Sequence, residues 1–92
     1  MLQPAAIAAA PALHGAYRLW LAGRLLHIGL TSGAQTLRGE LRRHWRGEYG
    51  PRTQAASHFD YLIAEDAAHA HELYLAFYLS SGLLEHMPRA RL

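Results

Sequence analysis

Residues 15–30, GAYRLWLAGRLLHIGL, hold two short apolar and aromatic runs separated by Ala22-Gly23. Tyr17, Leu19 and Leu21 alternate with Arg18 and Trp20, the period-two pattern of a strand with one buried face. Gly23 supplies the turn, so the segment predicts a β-hairpin whose second strand covers about residues 24–29. The rest of the fold has to be built around this hairpin. Thr31-Ser32-Gly33 then breaks the strand and opens a helix. In residues 34–47, AQTLRGELRRHWRG, the apolar positions Ala34, Leu37, Leu41 and Trp45 mark one helical face, with Gly47 as the stop. Gly39, inside that helix, costs about 1 kcal/mol relative to alanine. Residues 47–57 read as a loop, and residues 58–64, HFDYLIA, as a third strand with Phe59, Tyr61 and Ile63 on one face. Asp66 is the expected N-cap of a long helix over about residues 67–81, closed by Gly82. The order β-β-α-β-α predicts an α+β domain with a small three-stranded antiparallel sheet flanked by helices.

Length and composition narrow the function classes. Ninety-two residues make one small domain, divided here into a lead-in segment at 1–13 and the domain proper at 14–92. The lead-in is Ala-rich and reads as a short helix broken at Pro11. It lacks a basic n-region and is interrupted by Pro4 and Pro11, which argues against a cleaved signal peptide. No apolar run approaches the roughly 18 residues that span a bilayer, so no membrane association and a cytoplasmic location are expected. The absence of cysteine excludes disulfides, zinc-thiolate sites and thiol nucleophiles. All nine basic side chains are arginine, a pattern best ascribed to compositional bias of the source genome. A formal net charge of +2 permits an anionic partner without demanding one.

Three groups of side chains carry possible chemistry. Glu72 sits in AAHAHELYLAFYLSS, a helix apolar nearly all round and therefore expected to pack on several faces. Its carboxylate either finds a surface gap or an arginine, or is held for a ligand. Arg38, Arg42 and Arg46 stand at i, i+4 and i+8 and form a stripe, either an ordinary solvated face or one that straddles phosphates. Glu40 and His44 form a separate i, i+4 pair, beside Arg43, that would stabilise the helix by a few tenths of a kcal/mol. The seven histidines do not make a zinc site, since His69 and His71 point to different helix faces and no HExxH is present. Phosphate-binding glycine loops and a GxSxG serine are also absent.

GAY at 15–17, followed after nine residues by HIG at 27–29, resembles the paired GIY and YIG signatures of the GIY-YIG nuclease superfamily. GLTSGAQTLRGELRRH at 29–44 is similar to that family's GxT…LxxRLxxH element. Glu72 sits where the family has a lone glutamate on a later apolar helix, and Pro88 fits a proline near the end. The match runs from about Gly15 to Arg91 and agrees with the element order read from the residues.

The resemblance implies a minimal single-domain member that hydrolyses phosphodiester bonds in nucleic acid, DNA in the first instance. It implies one divalent ion, Mg²⁺ or Mn²⁺, held by Glu72, which suits a metal content with few carboxylates and many waters. Tyr17 matches the first signature tyrosine, Gly29 the glycine, Thr31 the threonine and His44 the helix histidine. His27 replaces the second tyrosine and, as an imidazole, is a better base near neutral pH. Glu40 stands where the family has a phosphate-neutralising arginine, and Arg43 is then the expected substitute. Arg38, Arg42 and Arg46 are the expected nucleic-acid contacts, and the family's terminal asparagine has Arg91 nearest its place. The alternatives are a nucleic-acid-binding module on the same fold without catalysis, or a protein-interaction domain using the last helix and the N-terminal segment.

Overall fold

A computed structural model describes residues 1–81. The elements follow the chain as α1 (Pro4–Ala9), β1 (Gly15–Leu21), β2 (Arg24–Thr31), α2 (Leu37–Trp45), α3 (Pro51–Gln54), β3 (His58–Ile63) and α4 (Ala67–Ser81). The sheet is antiparallel in the order β2-β1-β3, with the central strand contributed by the first arm of the hairpin. The α+β architecture expected from the sequence is therefore the one observed.

The hairpin turns on two residues, Ala22 at φ 50° and Gly23 at φ 82°. Positive φ at both central positions matches the right-handed twist of the flanking strands, and it places an alanine where its Cβ is strained. Between Leu19 and Trp20 the register slips: Leu19 faces His27, but Trp20 faces Leu25. This bulge sets Leu26 as an extra residue opposite β1, and Leu26 joins the same core as Leu19. β2 continues two residues past the expected end, to Thr31, whose buried hydroxyl accepts from the Gly15 N–H at 3.1 Å.

Each face of the sheet has its own core. Tyr17, Leu19 and Leu26 pack with Leu37 and Leu41 of α2 and with Leu2, Ile7 and Ala10 of the N-terminal segment. Phe59 and Tyr61 of β3 close that core from the far strand, while Ile63 is exposed. Ala16 and Ile28 face the other way, against Phe77, Leu73 and Tyr74 of α4. On this second face Arg18 pairs with Asp60 directly across β1 and β3, its Nε 2.9 Å from Oδ1. The guanidinium also lies 4.2 Å from the centre of the Phe77 ring.

Three expectations need correction. The segment 47–57 is not all loop, because Gly50-Pro51 opens the one-turn helix α3. The helix read over 34–46 begins later, at Leu37, where the Thr36 hydroxyl accepts from the Gly39 N–H at 3.1 Å. α4 buries one face rather than several: Ala70 and Phe77 are buried, whereas Glu72, Ala76 and Leu79 are exposed. Alanine contributes so little apolar area that a helix rich in it needs no second packing partner. The expected stop at Gly82, together with Pro88 and Arg91, lies outside the described residues.

The N-terminal segment supplies carbonyls to the start of α2. The Leu37 N–H donates to the Leu13 carbonyl at 2.8 Å and the Arg38 N–H to that of Pro11 at 3.2 Å. Arg38 also donates from Nε to the Ala10 carbonyl at 2.7 Å. The otherwise unpaired amides of a helix N-terminus are thus satisfied by chain that precedes the sheet.

Candidate active site

Tyr17 leaves β1 on the α2 face and its ring lies across Gly29 of the neighbouring strand, its register partner. A Cβ at position 29 would overlap the phenol ring, so the close approach requires glycine there. The Tyr17 hydroxyl reaches Nε2 of His44 at 2.9 Å. Nδ1 of the same imidazole meets the Thr53 hydroxyl of α3 at 2.8 Å. His44 is 2% exposed, so both of its nitrogens are spoken for inside the protein.

His27 completes an aromatic cluster. Its ring centre is 5.0 Å from that of His44 and 5.8 Å from that of Tyr17, and it is only half-buried. Strand alternation puts it there: opposite Leu19, two residues before Gly29, His27 shares the face of Tyr17, and the bulge lets Leu26 beside it enter the same core. Tyr49 packs against His44 from the other side at 4.6 Å between ring centres. The Tyr49 hydroxyl donates to the Glu40 carboxylate, 2.9 Å from Oε2.

The electrostatics follow from burial. Desolvation, with a smaller contribution from His27, lowers His44 to about 4, so the imidazole is neutral at pH 7. His27 is lowered too, first by burial and then by the charge of Arg52. Burial, followed by Glu40, Tyr49 and Tyr74, raises Tyr17 well above an ordinary phenol. Each of the three is neutral at pH 7, and the hydrogen bond between Tyr17 and His44 is a path for a proton between those two.

The structure therefore brings together Tyr17, His27 and His44 and adds Thr53 and Tyr49, which lie in the stretch read as loop. The other expected residues are placed differently. The i, i+4 pair of Glu40 with His44 does not form, because Tyr17 and Thr53 take both imidazole nitrogens and Tyr49 takes the carboxylate. Arg43 is half-exposed at the rim, its Nη1 3.9 Å from Glu40 Oε1. Arg42 and Arg46 are exposed on α2, whereas Arg38 is half-buried and anchored to Ala10. Glu72 is exposed on α4, the helix on the opposite face of the sheet, and among the described residues it has no hydrogen bond or ion pair.

That setting bears on the divalent ion implied by the sequence. Among the described residues no three His, Asp or Glu side chains converge, so an ion enclosed by protein ligands does not fit. A single free carboxylate at the surface does fit a hard cation that keeps most of its waters and takes further oxygens from a substrate.

No family model and no curated protein matches this sequence. Among solved structures, the chain is similar to the N-terminal GIY-YIG endonuclease domain of UvrC from Thermotoga maritima. That structure is a tyrosine-to-phenylalanine point mutant bound to its catalytic divalent cation. The TM-score is 0.61 at 18% identity, over 83% of this chain and 84% of that one. The likeness establishes a GIY-YIG-like fold.

Proposed function

We propose that this chain is a metal-dependent endonuclease-like domain that hydrolyses phosphodiester bonds in nucleic acid, with DNA as the first substrate to test. The single observation that carries the reading is the buried chain Tyr17–His44–Thr53, with His27 open to solvent beside it. The likeness in fold to an endonuclease domain supports it.

The residues divide the work as follows. His27, neutral and half-buried, can accept a hydrogen bond from a water molecule and hold it for the relay of Tyr17 and His44. The Tyr17 hydroxyl can take up a proton from that water while passing its own to Nε2 of His44, so the charge settles on imidazole rather than on phenolate. In the free protein His44 resists that charge. An anionic phosphodiester close by favours the imidazolium and raises the basicity of His44 when it is needed. Thr53 holds the ring in one orientation through Nδ1. Glu72 would hold the divalent ion, an assignment that follows the resemblance and not contact with the cluster, because α4 packs on the other face of the sheet; when bound, the ion would supply positive charge for the oxygens of the transition state. Arg42 and Arg46 then provide the longer phosphate track, whereas Arg38 is held at the Ala10 carbonyl. A cytoplasmic setting goes with this substrate, and no helix among the described residues is long and apolar enough to cross a membrane.

A second reading has its own observation. Glu40, 7% exposed, sets a carboxylate beside the cluster where the resemblance expects an arginine, which favours a binding module that has lost catalysis. Incubation with single- and double-stranded DNA and RNA, with Mg²⁺ or Mn²⁺ and with chelator, separates the two. Ion-dependent cleavage that disappears in Glu72→Gln, with the fold retained, is the expected result. Cleavage by that variant at the rate of the wild-type chain removes Glu72 from the site. Tight binding without cleavage in any metal establishes the second reading.

A further inference from the structure

A phosphodiester at the Tyr17–His27–His44 cluster needs a cation, and the helix positions expected to provide it do not. Position 40 is acidic, and Arg43 is turned toward that acid at 3.9 Å. Arg18 is committed to Asp60 on the other face of the sheet, and Arg38 to the Ala10 carbonyl. α3 approaches the cluster from another direction. It is fixed there by Thr53 on His44 Nδ1, at 2.8 Å, and by Gln54, whose Nε2 donates to the Trp45 carbonyl at 3.2 Å.

Arg52 immediately precedes Thr53 in that turn, is exposed, and among the described residues has no carboxylate partner. We propose that Arg52 is the phosphate-binding cation at this cluster, substituting from α3 for the arginine that α2 lacks at position 40. The inference rests on the phosphodiester reading above and names the residue that recognises the substrate's charge. A guanidinium presents a planar fork of donors that matches two phosphate oxygens, and it cannot lose its charge at working pH. Pro51 limits the backbone freedom of the turn that carries it. The charge of Arg52 is felt at His27, which places its field at the cluster rather than elsewhere on the surface.

The test uses the intact chain and hexathymidylate without metal at low salt, with the His27 and His44 ring signals followed by NMR. In the wild-type chain the oligonucleotide should shift the His27 signals and raise the pKa of that ring. Arg52→Gln should weaken binding by about tenfold, the loss of one charge-assisted hydrogen-bonded contact. It should also raise the His27 pKa in the free protein, and Arg52→Lys should restore part of both effects. Equal affinity in Arg52→Gln and wild type, or a larger loss in Arg43→Gln, overturns the assignment and leaves the phosphodiester reading standing. A wild-type chain whose histidine signals ignore the oligonucleotide overturns both.

Discussion

Replacing His44 by glutamine should change how the stability of the domain depends on acid. Above pH 6.5 the imidazole is neutral in both the folded and the unfolded chain, and its ionisation contributes nothing to the difference between them. As the pH falls below 6.5 the unfolded chain takes up a proton, while the folded one refuses it until about pH 4. Stability attached to neutral His44 is thus fully present above 6.5 and lost progressively down to about 4. At 1.36 kcal/mol per unit, the full window corresponds to about 3 kcal/mol. For a domain at the lower end of the usual 5–15 kcal/mol range that is a large share of the total. His27, also lowered, loses stability in the same direction in both proteins and cancels in the difference. His44→Gln should be the less stable protein at pH 7.5, because the Thr53 hydroxyl loses its buried partner. The gap between wild type and variant should then narrow by about 3 kcal/mol on titration to pH 4. Urea unfolding followed by the fluorescence of Trp20 and Trp45 at several pH values measures it, with the slope on urea checked for constancy. A gap that stays flat across pH 7.5 to 4.5 would refute the buried neutral imidazole.

Gly29→Ala should drive the Tyr17 ring off its strand and break the bond to His44, lowering stability by about 1–3 kcal/mol; thermal unfolding reads the first effect and the His44 ring signals the second. Ala22→Asn should raise stability by about 0.5–1 kcal/mol, since asparagine tolerates the φ of 50° that strains alanine. A lower melting temperature would mean that the turn is not as described. Glu40→Gln keeps an acceptor for Tyr49 while removing the charge. It should increase affinity for a short DNA duplex, measured by fluorescence anisotropy, and an unchanged Kd would show that the carboxylate does not face the bound phosphates.

The strands and the last helix were legible because their patterns are local. Ala22-Gly23 marks the turn, and alternation from Tyr17 onward marks the buried face. Thr53 was not, because a four-residue helix carries no periodicity, nor was Tyr49, which stands in the turn before that helix. The only signal for it is Gly50-Pro51, a helix start that is easily taken for a turn. The bulge at Leu19 and Trp20 leaves a faint trace in the adjacent apolar pair Leu25-Leu26, but which of the two enters the Tyr17 core needs the register. The pairing of Arg18 with Asp60 likewise depends on which strands are neighbours, 42 residues apart in sequence. Glu72 stood out in sequence as a charge among apolar residues, yet alanines on its helix leave it in solvent. Apolar composition around a charge is not the same as burial.

The carbonyls that residues 10, 11 and 13 give to the start of α2 have a consequence at the other end of that helix. A helix pinned at its first turn cannot roll about its own axis, and Glu40 and His44 are carried round by any roll. The opening residues thus act as a clamp on the bearing of the imidazole, although none of them touches it. A synthetic peptide of residues 1–13 added to a chain shortened to begin at His14 should therefore dock back and restore the Tyr17–His44 contact. That would make the geometry of the Tyr17–His44 cluster addressable in trans, with a label or a photoswitch carried on the peptide rather than engineered into the site.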